Sequence, residues 1–384
     1  LLILLVGFRH GFGFRDSVVD GTDEQESGFR KVIVFAFKDL IEAADRFGKR
    51  NVFSLNAGEL FGNVERLGCA NVVLTHLDTR VLAETYPGFF DLVLCDAPCS
   101  GEGMFRKYPQ AVTEWSPENV AMCAERQKEI LCNAVACLRP GGYLLYSTCT
   151  FSAEENEENC AYLLEKYPAL SLCPLPEDLQ AISRPGMAVG GNDLSRARRF
   201  YPHTAPGEGQ FVALFRLSPE ASFCEPKAKN RDKQKGKTNE ISAGVTLLPE
   251  KDARAVQEFL AANLTKSPKG RLVSVGDTIC LSPEIVLPPF GVVLPGAALG
   301  TLQKGRLEPH HHLFSAFGTF FRNRLDLTPA DPATDAYLHG AELDCAPTLS
   351  GWGCVTLCGA PLGGFKASCG KAKNHYPKGL RLLS

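Results

Sequence analysis

The sequence predicts an α/β protein with a mainly parallel sheet, followed by a smaller C-terminal domain of α+β or barrel-like type. From about residue 60 to residue 217, short apolar runs suited to buried strands alternate with helical segments. This alternation is typical of parallel strands joined by crossover helices. Beyond residue 244, one helical segment is followed by short strand-like runs separated by Gly and Pro, a pattern of compact α+β and barrel domains.

Each predicted element has a local signal. Ser116 is a hydroxyl cap before Pro117 at the start of the longest helix, and Gly68 is a stop signal for an earlier one. The strands predicted from short apolar runs are Lys31–Phe37, Ala70–Thr75, Phe90–Cys95, Tyr143–Tyr146, Phe211–Phe215, Thr278–Leu281 and Trp352–Cys358. The predicted helices are Asp39–Phe47, Leu60–Leu67 (the end of a helix), Pro117 to the break at Pro140, Ala153–Tyr167 and Asp252–Leu264.

Composition divides the chain into four segments. Residues 1–62 are an atypical N-terminal segment, residues 63–217 the α/β core, residues 218–243 a basic flexible linker and residues 244–384 the accessory domain. Residues 225–237 hold six basic residues and no large apolar one, so this stretch cannot build a packed core. A solvated tether and an attraction for a nucleic-acid backbone both stay open for it.

The overall composition limits the compartment and the kind of partner. With a formal net charge of −2, any surface that binds nucleic acid has to be a local patch. The fifteen cysteines lie in a chain too long to need a disulfide scaffold, so free thiols in a reducing cytoplasm are expected. The apolar stretch Leu1–Gly7 is too short to span a bilayer and lacks the features of a signal peptide. We expect a soluble cytoplasmic protein, and nothing in the sequence indicates its oligomeric state.

Two cysteines follow predicted strands of the same sheet. Phe90–Cys95 leads into Asp96 and Cys99, and Tyr143–Tyr146 leads into Cys149. Because ligands bind at the carboxyl ends of parallel strands, both thiols and the Asp96 carboxylate are expected to face one crevice. Either cysteine alone is as well explained as a small buried hydrophobe. The matched pair, with an acid three residues before one member, favours a functional site.

These residues belong to longer motifs that resemble a known family. Asp96–Lys107 (DAPCSGEGMFRK) followed by Ser147–Phe151 (STCTF) resembles the Sun/Fmu family of RNA 5-methylcytosine methyltransferases. The agreement extends to Glu154–Glu158 (EENEE), Pro202–Ala213 (PHTAPGEGQFVA) and Asn374–Arg381 (NHYPKGLR). The last motif is similar to the RsmF-like bacterial branch, which carries a C-terminal PUA-like domain. From about Asn63 onwards, the resemblance implies a Rossmann-like methyltransferase fold, S-adenosylmethionine as methyl donor and RNA, ribosomal RNA in particular, as substrate.

The resemblance also implies roles for four residues. Cys149 matches the nucleophile that adds to C6 of cytosine and makes C5 reactive towards a methyl group. Cys99 matches the thiol that helps remove the C5 proton and free the enzyme. Asp96 matches the acid that binds the cytosine edge near the methyl donor, and Asp78 the acid that accepts the cofactor's adenine amino group. An ordinary loop residue is the alternative for Asp78. The target cytosine has to leave its stack, so an unpaired base in folded RNA is expected.

Residues 1–62 depart from the family pattern. They contain no match to the family's glycine-rich loop Ala-Pro-Gly-Gly-Lys, whose backbone N–H groups hold the cofactor. Asn51 aligns with the acid that holds the cofactor ribose, and an amide lacks its charge. A degenerate or out-of-frame start of the methyltransferase domain would explain the departure. Two functions therefore stay open: an active rRNA methyltransferase, and a catalytically impaired RNA-binding homologue.

Further charged residues have competing interpretations. Lys371, Lys373, Lys378 and Arg381 surround Tyr376 and predict an RNA-docking surface in the accessory domain, with a merely solubilised tail as the alternative. Arg106 and Lys107 are either phosphate contacts or a solvated pair of charges. The run of three histidines at 310–312 suggests metal, yet consecutive side chains point in different directions and cannot all bind one ion. No metal site is predicted.

Overall fold

The computed structural model describes residues 60–221 and 240–382, together with the backbone of residues 2–7 and 31–36. The strands before residue 222 are β1 (Leu2–Gly7), β2 (Lys31–Ala36), β3 (Val72–His76), β4 (Phe90–Asp96), β5 (Leu138–Thr148), β6 (Leu170–Cys173), β7 (Arg184–Pro185), β8 (Arg198–Phe200) and β9 (Gln210–Leu217). The α-helices of the same part are α1 (60–66), α2 (Thr79–Thr85), α3 (Pro109–Glu114), α4 (Pro117–Cys137), α5 (Glu157–Lys166) and α6 (Glu177–Ala181).

The later part of the chain is richer in strands. Its strands are β10 (Glu240–Ser242), β11 (Val245–Leu247), β12 (Arg271–Val275), β13 (Thr278–Ser282), β14 (Val292–Leu294), β15 (Ala297–Gln303), β16 (Arg306–Pro309), β17 (Asn323–Leu327), β18 (Leu343–Asp344), β19 (Gly351–Leu357), β20 (Ala360–Ser368) and β21 (Lys371–Asn374). Its α-helices are α7 (Glu250–Asn263), α8 (His311–Phe317) and α9 (Pro332–Leu338). The described residues divide into two compact units, the first drawn from 1–53 and 75–235 and the second from 54–74 and 236–384.

The sheet of the first unit has parallel strands at its centre. Its strands run in the order β1-β2-β4-β5-β9-β8-β7, with β6 also paired to β9. The pairs β2–β4 and β4–β5 are parallel, whereas β9 returns antiparallel to β5. The register places Asp96 directly opposite Ser147. The predicted parallel pairing of the two strands that precede the cysteines is therefore confirmed.

The local signals explain where the central helix and strands lie. The Ser116 hydroxyl accepts a hydrogen bond from Asn119 N at 3.1 Å, as the predicted cap requires. Helix α4 then buries Ile130, Leu131 and Ala134 on one face. Gly68 has a φ of +62° directly after α1, which confirms the predicted stop.

Two boundaries differ from the prediction. Helix α4 ends at Cys137 and β5 begins at once, so the Pro140-Gly141-Gly142 break lies inside the strand. Gly142 permits this, because a Cβ there would lie 3.0 Å from Phe90 O of the neighbouring strand. Helix α5 begins at Glu157 and not at Ala153. The preceding residues instead form a turn, whose side chains bind the loops that carry the cysteines.

The second unit contains two antiparallel-rich sheets, in agreement with the predicted accessory domain. One has the order β10-β11-β12-β13-β15-β16 and the other β17-β19-β20-β21-β18. Its main core gathers Leu260 from α7, Leu299 from β15, Phe314 from α8 and Trp352 from β19. A smaller core around Tyr337, Val355 and Phe365 lies beneath α9 and the second sheet.

Some predictions concern residues outside the described part of the chain. These are the helix at 39–47, the family comparison at Asn51 and the basic stretch 225–237. Among the residues that are described, none of the helices combines the length and apolar character needed to cross a membrane.

A buried ion pair joins the first residue of α5 to strand β8 in the first unit. The Arg199 guanidinium donates to both carboxylate oxygens of Glu157, with Nε 2.6 Å from Oε1, and its Nη1 donates to Phe151 O at 2.8 Å. The two side chains are 3% and 0% exposed. Such a pair is stabilising only while both partners are present, because either charge alone would be buried without compensation.

We predict that Arg199→Met lowers the free energy of unfolding by about 3–5 kcal/mol, because it leaves the Glu157 carboxylate buried and unpaired. The double variant Arg199→Met/Glu157→Leu should recover at least half of that loss, because no charge then remains to be desolvated. Urea denaturation of the parent and both variants measures this. A double variant no more stable than Arg199→Met would contradict it.

Candidate active site

The two predicted cysteines meet in the structure. Cys99 lies in the loop after β4, Cys149 directly follows β5, and their Sγ atoms are 3.2 Å apart. Cys99 is buried at 9% exposure, whereas Cys149 is partly exposed. The parallel pairing of β4 and β5 brings both loops to the same edge of the sheet. A nearly buried thiol therefore lies beside one that a substrate can reach.

Glycines allow the two loops to approach each other. Gly101 has a φ of +75°, which turns the chain after Cys99. Gly103 N donates to Cys149 O at 2.8 Å, and a Cβ on Gly103 would lie only 2.7 Å from that oxygen. Between them, Glu102 accepts a hydrogen bond from Phe151 N at 2.8 Å. The Gly-Glu-Gly segment thus holds the backbone at Cys149 and just after it.

Asp96 ends β4 next to the two thiols. The Ser147 hydroxyl donates to Asp96 Oδ1 at 3.0 Å, across the pair that the strand register defines. Burial raises the pKa of the Asp96 carboxyl, and the hydrogen bond from Ser147 offsets only part of that rise. Asp96 is therefore easier to protonate than an exposed aspartate, and a protonated carboxyl can donate a hydrogen bond to a nucleobase.

The Glu155 side chain links the segment that follows Cys149 to the loop that carries Cys99. Its fully buried carboxylate accepts hydrogen bonds from Ser100 N at 3.0 Å and from Gln127 Nε2 at 2.7 Å. Gln127 Nε2 also donates to Pro98 O at 2.7 Å. Burial raises the pKa of Glu155, and these donors oppose the rise. One buried hydrogen-bond network thus holds both neighbours of Cys99, Pro98 and Ser100.

Asn156 completes the network on the Cys149 side. The Thr148 hydroxyl donates to Asn156 Oδ1 at 2.6 Å, and Asn156 Nδ2 donates to Thr150 O at 3.0 Å. The hydroxyls of Thr150 and Ser100 are hydrogen-bonded at 2.9 Å, which links the two loops directly. The residues on either side of each cysteine are therefore held by hydrogen bonds.

Two family models match parts of the chain. A family model described as 16S rRNA methyltransferase RsmB/F matches residues 41–216, starting upstream of the Asn63 limit that the motifs suggested, and a model described as methyltransferase RsmF PUA domain matches residues 324–382. The chain carries an RsmB/F methyltransferase domain. It also carries an RsmF PUA domain.

Individual relatives and one solved structure are also similar to the chain. Ribosomal RNA small subunit methyltransferase F from Escherichia coli strain SE11 and from strain K12 are each 32% identical over 336 residues, which is 84% of this chain and 65% of each relative. The chain thus spans just under two thirds of their length. The structure of NSun6 from Pyrococcus horikoshii with SFG is 31% identical over 44% of this chain and 39% of that chain, with a TM-score of 0.35, too low to support an architectural argument.

The predicted cofactor residue Asp78 lies at the start of α2 in the RsmB/F domain. It caps this helix by accepting from Arg80 N at 2.8 Å and from Arg80 Nε at 3.2 Å, both on Oδ1. Partial burial raises the pKa of Asp78, but the hydrogen bonds and charge of Arg80 outweigh this and lower it overall. Asp78 is ionised and exposed, and no contact connects it to Cys99 or Cys149 within the described part of the chain.

Aromatic rings line up beside Cys149 in the RsmB/F domain. Phe151 stacks on Tyr201, and Tyr201 stacks on His203, each pair with ring centroids 5.4 Å apart. A Cβ on Gly209 would lie 2.3 Å from the Phe151 ring, so only glycine leaves room for it there. The motif at 202–213 thus has a physical role that its sequence did not disclose, because stacking depends on partners far apart in the chain.

The remaining predicted charges have local partners. Arg106 Nε lies 3.7 Å from Glu208 Oε2, and Lys107 lies over the Tyr108 ring. In the second unit, His310 faces Glu65, and the buried His312 contacts Cys69 O at 3.1 Å. The three histidines therefore point to different partners, and no group of three metal-binding side chains occurs among the described residues.

We predict that Glu155→Ala lowers the free energy of unfolding of the RsmB/F domain by about 2–5 kcal/mol. The substitution leaves two buried donors, Ser100 N and Gln127 Nε2, without an acceptor, and each such donor costs about 1–3 kcal/mol. Glu158→Ala is the matched control, because Glu158 belongs to the same acidic run but is exposed. Urea denaturation should show no more than about 0.5 kcal/mol for the control. Equal losses would mean that the network does not stabilise the loops.

Proposed function

We propose that this protein is an S-adenosylmethionine-dependent RNA cytosine-C5 methyltransferase that acts on ribosomal RNA. The observation that carries the proposal is the pair of thiols 3.2 Å apart at the ends of β4 and β5, next to the partly buried Asp96. The names of the matching family models and relatives support the choice of ribosomal RNA. Since the thiols have to stay reduced, we further propose that the protein acts in the cytoplasm.

The chemistry assigns one task to each group at the thiol pair. The Cys149 thiolate adds to C6 of the cytosine, and the electron pair of the C5–C6 double bond moves towards N3. Burial raises the pKa of the Asp96 carboxyl, and in its protonated form Asp96 would donate a hydrogen bond to N3 and stabilise that charge. C5 then carries the nucleophilic electron density. The partly exposed Cys149, and not the buried Cys99, is the thiol that a cytosine can reach.

Release of the product uses the second thiol. After C5 has gained its methyl group, the Cys99 thiolate accepts the C5 proton, the C5–C6 double bond re-forms, and the Cys149–C6 bond breaks. The short distance between the two Sγ atoms supports this relay, because both thiols can reach adjacent carbons of one base. A cytosine can enter this crevice only from an unpaired position, so a flipped-out base in folded RNA is the proposed substrate.

The acceptors at the strand ends fit the proposed cofactor. S-adenosylmethionine, when bound, supplies an electrophilic methyl group carried on a sulfonium cation. Asp78 would accept the adenine amino group, because Arg80 engages only its Oδ1 atom and the carboxylate is exposed. Asp96 would lie near the sulfonium of the methyl donor. The accessory domain at 244–384 would bind RNA, and the core at 63–217 would hold the base and the cofactor.

We predict opposite behaviour of the two thiol variants. Cys149→Ala should abolish both methylation and the covalent RNA adduct, because no other nucleophile reaches C6. Cys99→Ala should accumulate the adduct, because attack survives and release does not. Denaturing gels measure this for the protein with residues 1–62 replaced by a family-like opening, incubated with small-subunit rRNA and S-adenosylmethionine. Cys132→Ala, a partly buried thiol outside the pair, should behave like the parent. An adduct in Cys149→Ala would overturn the assignment.

A second function is favoured by the departures at residues 1–62. If the chain lacks a working cofactor loop, it would be a catalytically impaired RNA-binding homologue that retains the base crevice and the PUA domain. The missing glycine-rich loop and the amide at Asn51 are the observations that favour it.

We predict that the 384-residue chain binds S-adenosylmethionine in the millimolar range. Each lost charge-assisted hydrogen bond costs about 1.5–3 kcal/mol, and every 1.4 kcal/mol is tenfold in affinity. Calorimetric titration should show micromolar binding only when residues 1–62 are replaced by a family-like opening. Equal micromolar binding by both proteins would show that residues 1–62 build the pocket in another way, and would favour the active enzyme.

A further inference from the structure

Two lysines lie directly opposite each other in the second unit. Strands β20 and β21 are antiparallel, and their register pairs Lys366 with Lys373. Both side chains are exposed. Side chains that face each other across a sheet have Cβ atoms about 4.5–5.5 Å apart, and like charges in such pairs are destabilising. Throughout the described residues, no carboxylate lies within 4.0 Å of either ammonium group.

Lys371, on the same strand as Lys373, has a carboxylate partner. Lys371 lies opposite Ser368, and its Nζ is 2.5 Å from Asp344 Oδ1 on β18. Its charge is therefore neutralised within the sheet. Arg381 donates to Tyr376 O at 3.2 and 3.1 Å and holds the tail in place. Of the basic residues predicted to dock RNA, Lys371 and Arg381 thus have structural partners, whereas Lys373 faces another lysine.

Two aromatic rings lie next to the lysine pair. Trp352 of β19 lies opposite Lys366, and Lys366 Nζ is 5.1 Å from the centroid of its ring. His375 packs edge-on against Trp352 at 4.5 Å. Burial lowers the pKa of His375, and the charges of Lys373 and Lys366 lower it further against the attraction of Glu308. The ring of His375 is therefore neutral near pH 7, and the positive charge belongs to the two lysines.

We propose that Lys366 and Lys373 together bind one backbone phosphate of the RNA. A phosphate has enough oxygens to meet both ammonium groups, and its charge removes the repulsion that the sheet leaves uncompensated. Both residues lie within 324–382, the range that matches the PUA domain. The inference rests on the proposed function for the identity of the polyanion, and it assigns the docking contact to Lys366, which the sequence did not suggest, and Lys373.

The test compares matched variants of the full chain. The affinity for a small-subunit rRNA fragment is measured by filter binding at a series of KCl concentrations for the parent, for Lys366→Gln/Lys373→Gln and for Lys371→Gln. The negative slope of the logarithm of the RNA association constant against the logarithm of the salt concentration should become shallower by about 0.7–0.9 for the double variant, because one phosphate contact is lost. Its affinity at low salt should drop about tenfold. Its thermal unfolding midpoint should not fall below that of the parent, because removal of the repulsion offsets loss of the contact between Lys366 and the Trp352 ring.

The control makes the inference falsifiable. Lys371→Gln removes the same kind of charge from the same strand, and it should leave the salt slope unchanged and the midpoint no higher than that of the parent. An unchanged slope in the double variant, or an equal loss in Lys371→Gln, would overturn the assignment. Titration with inorganic phosphate should show binding at least a hundredfold weaker than RNA, and phosphate binding that RNA does not displace would also overturn it.

Failure of this inference can be told from failure of the proposed function. Covalent adduct formation by Cys149 in the Cys99→Ala variant, with a short oligoribonucleotide, reports on the catalytic step alone. An adduct together with an unchanged slope in the double variant rejects the lysine pair and leaves the proposed function standing. A lysine-dependent slope without methyl transfer rejects the proposed function and leaves the phosphate site standing. A parent chain that binds no RNA rejects both.

Discussion

The buried Glu155 carboxylate is the contact on which the thiol geometry depends. An ionised carboxylate without solvent is unfavourable unless hydrogen bonds replace the lost water. Here the replacement comes from Ser100 N and Gln127 Nε2, and Gln127 also donates to Pro98 O. The groups that satisfy the charge are thus parts of the loop that carries Cys99. Desolvation of one acid and placement of one thiol are consequences of the same hydrogen bonds.

The same requirement shapes the chain that follows Cys149. Asn156 uses both its amide atoms on Thr148 and Thr150, so the residues before Glu157 cannot adopt helical geometry and α5 begins late. Glu157, the first helical residue, is in turn buried against Arg199, which also donates to Phe151 O. The acidic run therefore has exposed residues at its two ends and buried residues between them. Its two buried acids have different partners: Glu155 binds the loop that carries Cys99, and Glu157 binds Arg199.

Much of the fold and the central pair of residues could be predicted from the sequence. Strand ends are marked by apolar runs that stop abruptly, and parallel pairing puts their carboxyl ends together, so Cys99 and Cys149 were predictable from pattern and topology. The roles of Glu155 and Arg199 were not, because a carboxylate in an acidic run and an arginine in a run of arginines carry no local sign of burial. The late start of α5 has the same origin: its signals favour a helix, and tertiary hydrogen bonds override them. The stack of Phe151, Tyr201 and His203 likewise joins residues about fifty positions apart.

In the second unit, unlike the first, two like charges face each other. In the first unit, the buried ion pair and the carboxylate network show each charge meeting a partner inside the protein. On the second sheet, Asp344 satisfies Lys371, yet Lys366 and Lys373 are left facing each other two positions away. Exchanging either lysine for a neutral residue would remove a repulsion, and although Lys366 contacts the Trp352 ring, the contacts described for the folded state give no reason for Lys373 to face it. A protein with a net charge of −2 can attract a polyanion only through such local concentrations of positive charge. The lysine pair is therefore best understood as a feature of the bound state, in which the partner supplies the counter-charge that the fold omits.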